Sequence, residues 1–358
     1  MKDAIRLLTT LGIALMCLQT AKAQTTTQTN DYHRWWLDAS SPKPFSSPDA
    51  KKLPLIRVRG NKFVDPDNKT VLFRGLSISD PDKLEHQGHW NRHHFEQVKE
   101  MGTMLVRIPV HPIAWRERTP EAYLQLLDQA VEWCTELDMH VIIDWHSIGN
   151  LKMELFQDPM YNTTQKETAQ FWRIIAQHYK GNTTVAFYEL FNEPTLYRGE
   201  LGSMSWSEWK KLNEDLIHLI RAYDTTKIPL VAGLDWAYDL TPLNIDPIQA
   251  EGIGYVTHPY PHKRMKPWEP KWDEDFGFAA GRYPIIATEI GYPTSEATAK
   301  RDADYGTTIV HYLEGKGISW TAWCFDPEWP PCLLASWNYD LTESGEFFKK
   351  AMHGEAEN

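Results

Sequence analysis

Val185-Ala186-Phe187-Tyr188-Glu189-Leu190-Phe191-Asn192-Glu193-Pro194 is the stretch on which the reading of the chain turns. An apolar, β-prone run climbs into a polar tip, and a proline ends it. A strand buried on both faces delivers side chains to the end of a parallel sheet in this way. Tyr283-Pro284-Ile285-Ile286-Ala287-Thr288-Glu289-Ile290-Gly291 repeats the form further on, again bringing a glutamate to the strand's end.

Six more runs of the same kind surround these two. They are Val71–Leu76, Leu105–Val110, Val141–His146, Pro229–Gly233, Ile253–His258 and Ile318–Trp323. Helix signals lie between most of them. Thr119-Pro120-Glu121 supplies a cap, a proline at the first helical position and an acid in the first turn. Tyr123, Leu127, Ala130, Cys134 and Leu137 then mark one buried stripe. Thr164 with Glu167 and Ser205 with Glu208 read as capping boxes. Strands alternating with helices predict an α/β fold with a parallel sheet, and eight strands predict a single (β/α)₈ TIM barrel. A doubly wound sheet would want a glycine-rich phosphate loop after the first strand, and Arg74-Gly75-Leu76-Ser77 is not one.

The N-terminus reads differently. Residues 1–23 form a signal peptide: Lys2 and Arg6 lead an apolar run from Leu7 to Leu18, and Ala21-Lys22-Ala23 is a cleavage pattern. Residues 24–50, rich in Thr, Gln, Ser and Pro, read as a leader or linker, and residues 51–358 as the catalytic domain. The expected product is a secreted or periplasmic monomer with no membrane association after cleavage. The formal net charge of −11 becomes −13 once Lys2, Arg6 and Lys22 leave with Asp3, which disfavours a nucleic-acid partner. Three cysteines remain. Cys134 falls on the buried stripe; Cys324 and Cys332 flank a proline-rich loop, and a disulfide between them is expected.

Polar residues gather where the strands end: Arg107 on the second, Asp144-Trp145-His146 on the third, Asn192-Glu193 on the fourth. Asp235-Trp236 follows the fifth, His258-Pro259-Tyr260 ends the sixth, and Glu289 and Trp323 lie on the seventh and eighth. In a closed barrel these ends converge on one bowl, which is where barrel enzymes do chemistry. Two strand-end carboxylates are what glycoside hydrolysis requires. Sixteen tryptophans and fifteen tyrosines suit flat apolar faces that pack on sugar rings.

As a set, Val106-Arg107-Ile108-Pro109, Asp144-Trp145-His146, Phe191-Asn192-Glu193-Pro194, His258-Pro259-Tyr260, Thr288-Glu289-Ile290-Gly291 and the Trp323 strand resemble glycoside hydrolase family 5, over essentially the whole domain. The resemblance implies Glu193 as acid/base, Glu289 as nucleophile, Arg107 orienting the nucleophile and Asn192 binding the 2-hydroxyl of the sugar at the cleavage point. It implies that His146, His258 and Tyr260 line that subsite and that Trp323 is its floor, with Trp236 a helper in stacking. The physical requirements stand beside the name: a nucleophile stays ionised next to a cation, and the acid keeps its proton through burial or a neighbouring carboxylate. Glu189 reads as a deeper structural partner, of Arg107 for example.

The expected activity is a retaining endo-β-1,4-glucanase of cellulase type, with β-mannan, xyloglucan or mixed-linkage glucan as alternative substrates. A non-catalytic carbohydrate-binding barrel and a metal-dependent hydrolase are the rivals. The first would be expected to lose a carboxylate. The second wants clustered histidines at the first strand, and Arg74–Asp80 has none, so neither metal nor cofactor is expected. His89, His93 and His94 read as solvated helix residues or loop contacts.

Overall fold

The computed structural model describes residues 42–46, 51–293 and 304–355. The expected signal peptide, most of the expected leader and the last three residues of the expected domain lie outside them. In chain order the strands are β1 (Arg57–Arg59), β2 (Lys62–Val64), β3 (Arg74–Ile78), β4 (Leu105–Val110), β5 (His140–Trp145), β6 (Ile148–Asn150), β7 (Leu155–Phe156), β8 (Val185–Glu189), β9 (Glu193–Pro194), β10 (Ile228–Ala232), β11 (Gly254–Val256), β12 (Ile285–Ile290) and β13 (Ser319–Phe325). Eight of them close a parallel barrel in the order β10-β11-β12-β13-β3-β4-β5-β8, with helices in the connections. This is the (β/α)₈ architecture that the alternation predicts.

Strand periodicity builds the interior in layers. Leu105, Ile142, Phe187, Leu230, Val256 and Ile286 form an apolar cluster inside the barrel. Phe63 of β2, Phe73 and Phe187 cap it from the N-terminal end, with centroids 5.1 to 6.5 Å apart. Two residues further along, five of these six runs present Arg107, Asp144, Glu189, His258 and Thr288, all buried, while the sixth presents the small Ala232. A period of two thus lifts a polar layer directly above an apolar one. Asp144 and Glu189 stand directly opposite each other in the β5–β8 register, whereas Arg107 is paired with Ile142. A register shift in β12 between Ala287 and Ile290 turns Glu289 toward the barrel mouth beside Thr288.

Outside the barrel a second apolar core lies under the helices and includes Tyr123, Leu127, Ala130 and Cys134 of the helix Pro120–Glu136. The helix Trp206–Arg221 opens with the expected full capping box. Thr164 caps Gln165–His178, but Glu167 sends its carboxylate to Arg116 (2.7 Å) and Thr163 (3.0 Å), so only half of that box forms.

Three other expectations are corrected. The first barrel strand begins at Arg74 rather than Val71, because Phe73 turns into the aromatic plug below. His94 is fully buried, against Phe95, Phe325 and Tyr339, instead of solvated. Cys324 and Cys332 are free thiols. Backbone bonds from Cys324 N–H to Pro331 (3.0 Å) and from Leu333 N–H to Cys324 (2.9 Å) close that loop and give the bracing expected of a disulfide. Among the described residues no helix is long and apolar enough to cross a membrane.

Candidate active site

The barrel mouth opens into a cleft of about 680 Å³, whose walls include His146, Tyr161, Glu193, Trp236, Glu289 and Trp323. Arg107 is the hub beneath it. Its guanidinium grips Glu189 in a two-pronged pair (2.7 and 2.9 Å), donates to Glu289 Oε1 (2.8 Å) and Asn192 Oδ1 (2.7 Å), and lies 3.0 Å from Asp144. A planar fork suits this many fixed acceptors. Asn192 Oδ1 accepts from a cation, so its amide orientation is fixed. Its NH₂ is buried with no protein partner among the described residues, a donor left for a ligand.

The β8 chain leaves the barrel at Leu190 but stays tied to its neighbour. Asn192 N–H donates to Trp145 O and Glu193 N–H to Ser147 O, both at 3.1 Å, and β9 pairs with β6. Glu193 is thereby held on a backbone ladder. Its Oε1 meets His258 Nδ1 at 2.9 Å. The other ring nitrogen faces Thr288 Oγ1 at 2.9 Å, and that hydroxyl donates to Glu189 at 3.0 Å. The hydroxyl spends its proton on Glu189, so His258 Nε2 must be the donor to it.

Charge follows geometry. Burial works against a charged His258, but the charge of Glu289, the nearby Glu189 carboxylate (3.7 Å) and the hydrogen bond to Glu193 outweigh it and raise the imidazole to about 9. Burial would likewise raise Glu189, yet Arg107 and His258 hold it down at about 2. Burial pushes Glu289 above the ordinary carboxylate range, against the opposing pull of His258, Arg107 and the Tyr260 hydroxyl, which donates to Oε2 at 2.8 Å. Burial, then His111, pushes His146 well below its usual value, so this ring is neutral.

His146 and Trp323 lie parallel, 5.4 Å apart at 2°, and Trp329 continues the stack at 6.1 Å and 10° from Trp323. Trp236 reaches the cleft from the turn Leu234–Ala237, anchored by Nε1 to Gln157 (2.9 Å), with the Lys263 ammonium 4.6 Å over its ring. All nine residues singled out in the sequence therefore gather at one mouth. One of them differs from expectation in its place. His258, read as lining the subsite, is wholly buried beneath the cleft and acts through Glu193, while Arg107, equally buried, lies against Glu289 as a residue that orients the nucleophile would.

Gln157 and Tyr161 line the cleft from the loop 154–161, which the sequence marks as a specificity loop without assigning its contacts, and Lys263 lines it without having been singled out. His111 was also missed. Its Nδ1 is fixed by Asp80 (2.9 Å), which also accepts from Tyr123 (2.9 Å), and its ring lies 4.7 Å from His146. Its position four residues past Arg107, just beyond the end of β4, is the signal that could have found it. Glu193, His258 and Glu289 offer atoms within 4.8 Å of one another, a spacing compatible with an ion. The His258 nitrogens are engaged with Glu193 and Thr288, so an ion there would have to displace one of those hydrogen bonds.

Residues 64–328 match the family model described as Cellulase (glycosyl hydrolase family 5). Two solved structures of a beta-glucanase from Saccharophagus degradans, one native and one in complex with cellotetraose, are 45% identical to the chain. Both cover 90% of it and are matched over 99% of their own length, with TM-scores of 0.86 and 0.85. Among curated proteins, an endoglucanase of Clostridium saccharobutylicum is 25% identical over 316 residues and covers 84% of the chain. An endoglucanase A of Butyrivibrio fibrisolvens is 29% identical over 286 residues and covers 75% of it. The chain spans 65% and 59% of the length of these two proteins.

Proposed function

The chain belongs to the cellulase family, glycosyl hydrolase family 5, and from that premise we propose that it is a secreted endo-β-1,4-glucanase working with retention of anomeric configuration. The observation that carries the mechanism is the approach of a Glu193 and a Glu289 carboxylate oxygen to within 4.8 Å. Retaining pairs stand about 5 to 5.5 Å apart, whereas inverting pairs leave about 6.5 to 9.5 Å for a water. Glu289, held by Arg107 and Tyr260, attacks the anomeric carbon. Glu193 gives its proton to the departing oxygen. A glycosyl ester on Glu289 results. Glu193, now a carboxylate, takes a proton from water, which releases the sugar and restores both groups. The free amide hydrogens of Asn192 suit the 2-hydroxyl, whose hydrogen bonds strengthen in the transition state.

The β-glucan substrate class is supported by the endoglucanase relatives and by cellotetraose in the Saccharophagus degradans complex. Mannan, xyloglucan and mixed-linkage glucan are the alternatives. A panel of these polysaccharides with product sizing tests the reading: early fall in cellulose-derivative viscosity supports it, and turnover of mannan alone would replace it. Turnover should also survive a chelator. Secretion rests on residues 1–23, and N-terminal sequencing of exported protein should begin at Gln24.

Two expected results follow from the site. Trp323→Ala removes the floor under the sugar and should lower kcat/KM on the order of a hundredfold, the scale of losing a few kcal/mol of aromatic contact, while unfolding stays cooperative. Activity near wild type would make Trp323 plain barrel lining. The second concerns pH. Glu289 attacks only when ionised and is raised by burial, so kcat/KM should fall as pH drops through a value above the ordinary carboxylate range. Tyr260→Phe removes a donor that favours the carboxylate, so this acid limb should move to higher pH. An unmoved limb would assign it to another group.

A further inference from the structure

Thr288 and Glu289 are consecutive residues of β12, and a regular strand would send their side chains to opposite faces. The register shift between Ala287 and Ile290 brings both into the barrel. Glu289 meets Arg107 and Tyr260. Thr288 takes another direction. It is wholly buried beneath the cleft and forms no part of the cleft wall. Thr321 Oγ1 donates to its carbonyl and steadies the backbone there. Its hydroxyl lies between Glu189 Oε1 (3.0 Å) and His258 Nε2 (2.9 Å). The hydroxyl hydrogen can point only one way. Glu189 Oε1 also accepts from Arg107 (2.9 Å), and with its carboxyl held down at about 2 that residue has no proton to give. Thr288 therefore donates to Glu189, and its oxygen is the acceptor for His258 Nε2–H.

The His258 ring is enclosed on every side. Nδ1 lies 2.9 Å from Glu193 Oε1 and 3.8 Å from Glu289 Oε2, and Nε2 lies 3.7 Å from Glu189 Oε1. The charged and titratable groups around it are Glu189 of β8, Glu193 of β9 and Glu289 of β12. Arg107 of β4 stands beyond Glu189, with Asp144 and His146 at the end of β5. Acceptors at both ring nitrogens require a hydrogen on each, which makes the ring a cation. That cation faces the proton donor of the reaction. When Glu193 gives up its proton, the carboxylate left behind accepts from Nδ1–H of a charged ring in a buried place, where such a hydrogen bond is strong. At the far end of the ring, Thr288 Oγ1 receives the other hydrogen.

We propose that Thr288 is a positioning residue for the proton donor: its hydroxyl, ordered by Glu189, holds the hydrogen on His258 Nε2 and so keeps a cationic ring against Glu193. The inference rests on the hydrolase reading and gives Thr288 no contact with sugar. Without the hydroxyl, Nε2–H is left with no acceptor in a buried place, which is costly. The ring then sheds that hydrogen and becomes the neutral form with Nδ1–H. Glu193 keeps its hydrogen bond but loses the charge that stabilises its carboxylate as the leaving group departs. Proton transfer to the oxygen of a natural leaving group slows. A leaving group that departs without a proton is unaffected.

The test compares cellohexaose with 2,4-dinitrophenyl cellobioside in the wild type, Thr288→Val, Thr288→Ala and Thr288→Ser. Thr288→Val replaces the hydroxyl with a methyl of similar size. It should lower kcat/KM on cellohexaose about tenfold and leave the dinitrophenyl substrate within about twofold of wild type, while Thr288→Ser, which keeps the hydroxyl, behaves as wild type. Thr288→Ala should show the same selective loss and replaces the valine variant if that one fails to fold. Equal losses on both substrates would mean that Glu289 had been displaced, and that result, or no loss on cellohexaose, would overturn the proposal. Nitrogen-15 NMR of histidine-labelled protein reads the ring itself. His258 should keep both hydrogens up to about pH 9 in the wild type and in Thr288→Ser, and should lose one at a midpoint lower by about 1 pH unit or more in Thr288→Val. An unchanged midpoint would also overturn it. If the wild type turned over neither substrate, the hydrolase reading would fall by itself, and the same titration would still decide whether Thr288 holds the Nε2 hydrogen.

Discussion

Glu289→Gln should lose turnover on every substrate, by on the order of 10⁵-fold, because an amide cannot form the glycosyl ester and no neighbouring group replaces it. Glu193→Gln should behave differently. With a natural leaving group it lacks the acid, worth about 10² to 10⁴-fold. With 2,4-dinitrophenyl cellobioside the departing oxygen needs no proton, so one equivalent of phenol should appear in a burst and the ester then persist. Intact-protein mass spectrometry would find that adduct on Glu289. Bursts of equal size from both variants, or from neither, would contradict the assigned roles.

Arg107→Met should be the most destabilising of the substitutions around the site. Arg107 touches Glu189, Glu289, Asp144 and Asn192 with no solvent exposure, and removing it leaves buried carboxylates without their cation. Losing one partner of a buried pair costs about 3 to 5 kcal/mol, and a shared hub belongs at the upper end. Arg107→Lys keeps the charge but cannot reproduce the fork, so it should fall between the two. Urea unfolding measures both. Stability within about 0.5 kcal/mol of wild type in Arg107→Met would mean that the polar layer is held by something else.

The fold was legible because the barrel strands carry their own signal. Near-continuous apolar runs such as Val141–Asp144 and Ile285–Thr288 read as strands covered on both faces, and eight of them alternating with capped helices leave little else to build. The site was legible for the same reason, since chemistry sits at strand ends and the strand ends were identified. What escaped depends on neighbours that sequence does not display. The buried state of His94 is set by Phe325 and Tyr339, far away in the chain. The half-formed box at Thr164 reflects Arg116 capturing Glu167. The pairing of Cys324 and Cys332 was expected from spacing, whereas the loop closes through backbone bonds to Pro331 and Leu333. His258 was found as a residue but placed one layer too high, because alternation gives a direction without a depth. Tyr161 and Gln157 sit on a loop that was legible as a specificity loop but whose contacts no periodicity assigns, and Lys263 sits on another irregular loop.

The central claim is that Glu193 and Glu289 hydrolyse a β-glycosidic bond in two displacements, and the anomer released first tests it most directly. Proton NMR of early cello-oligosaccharide hydrolysis, recorded before mutarotation mixes the forms, should show the β-anomer of the new reducing end appearing first. Prior appearance of the α-anomer would mean a single displacement by water, and Glu289 would not be the nucleophile.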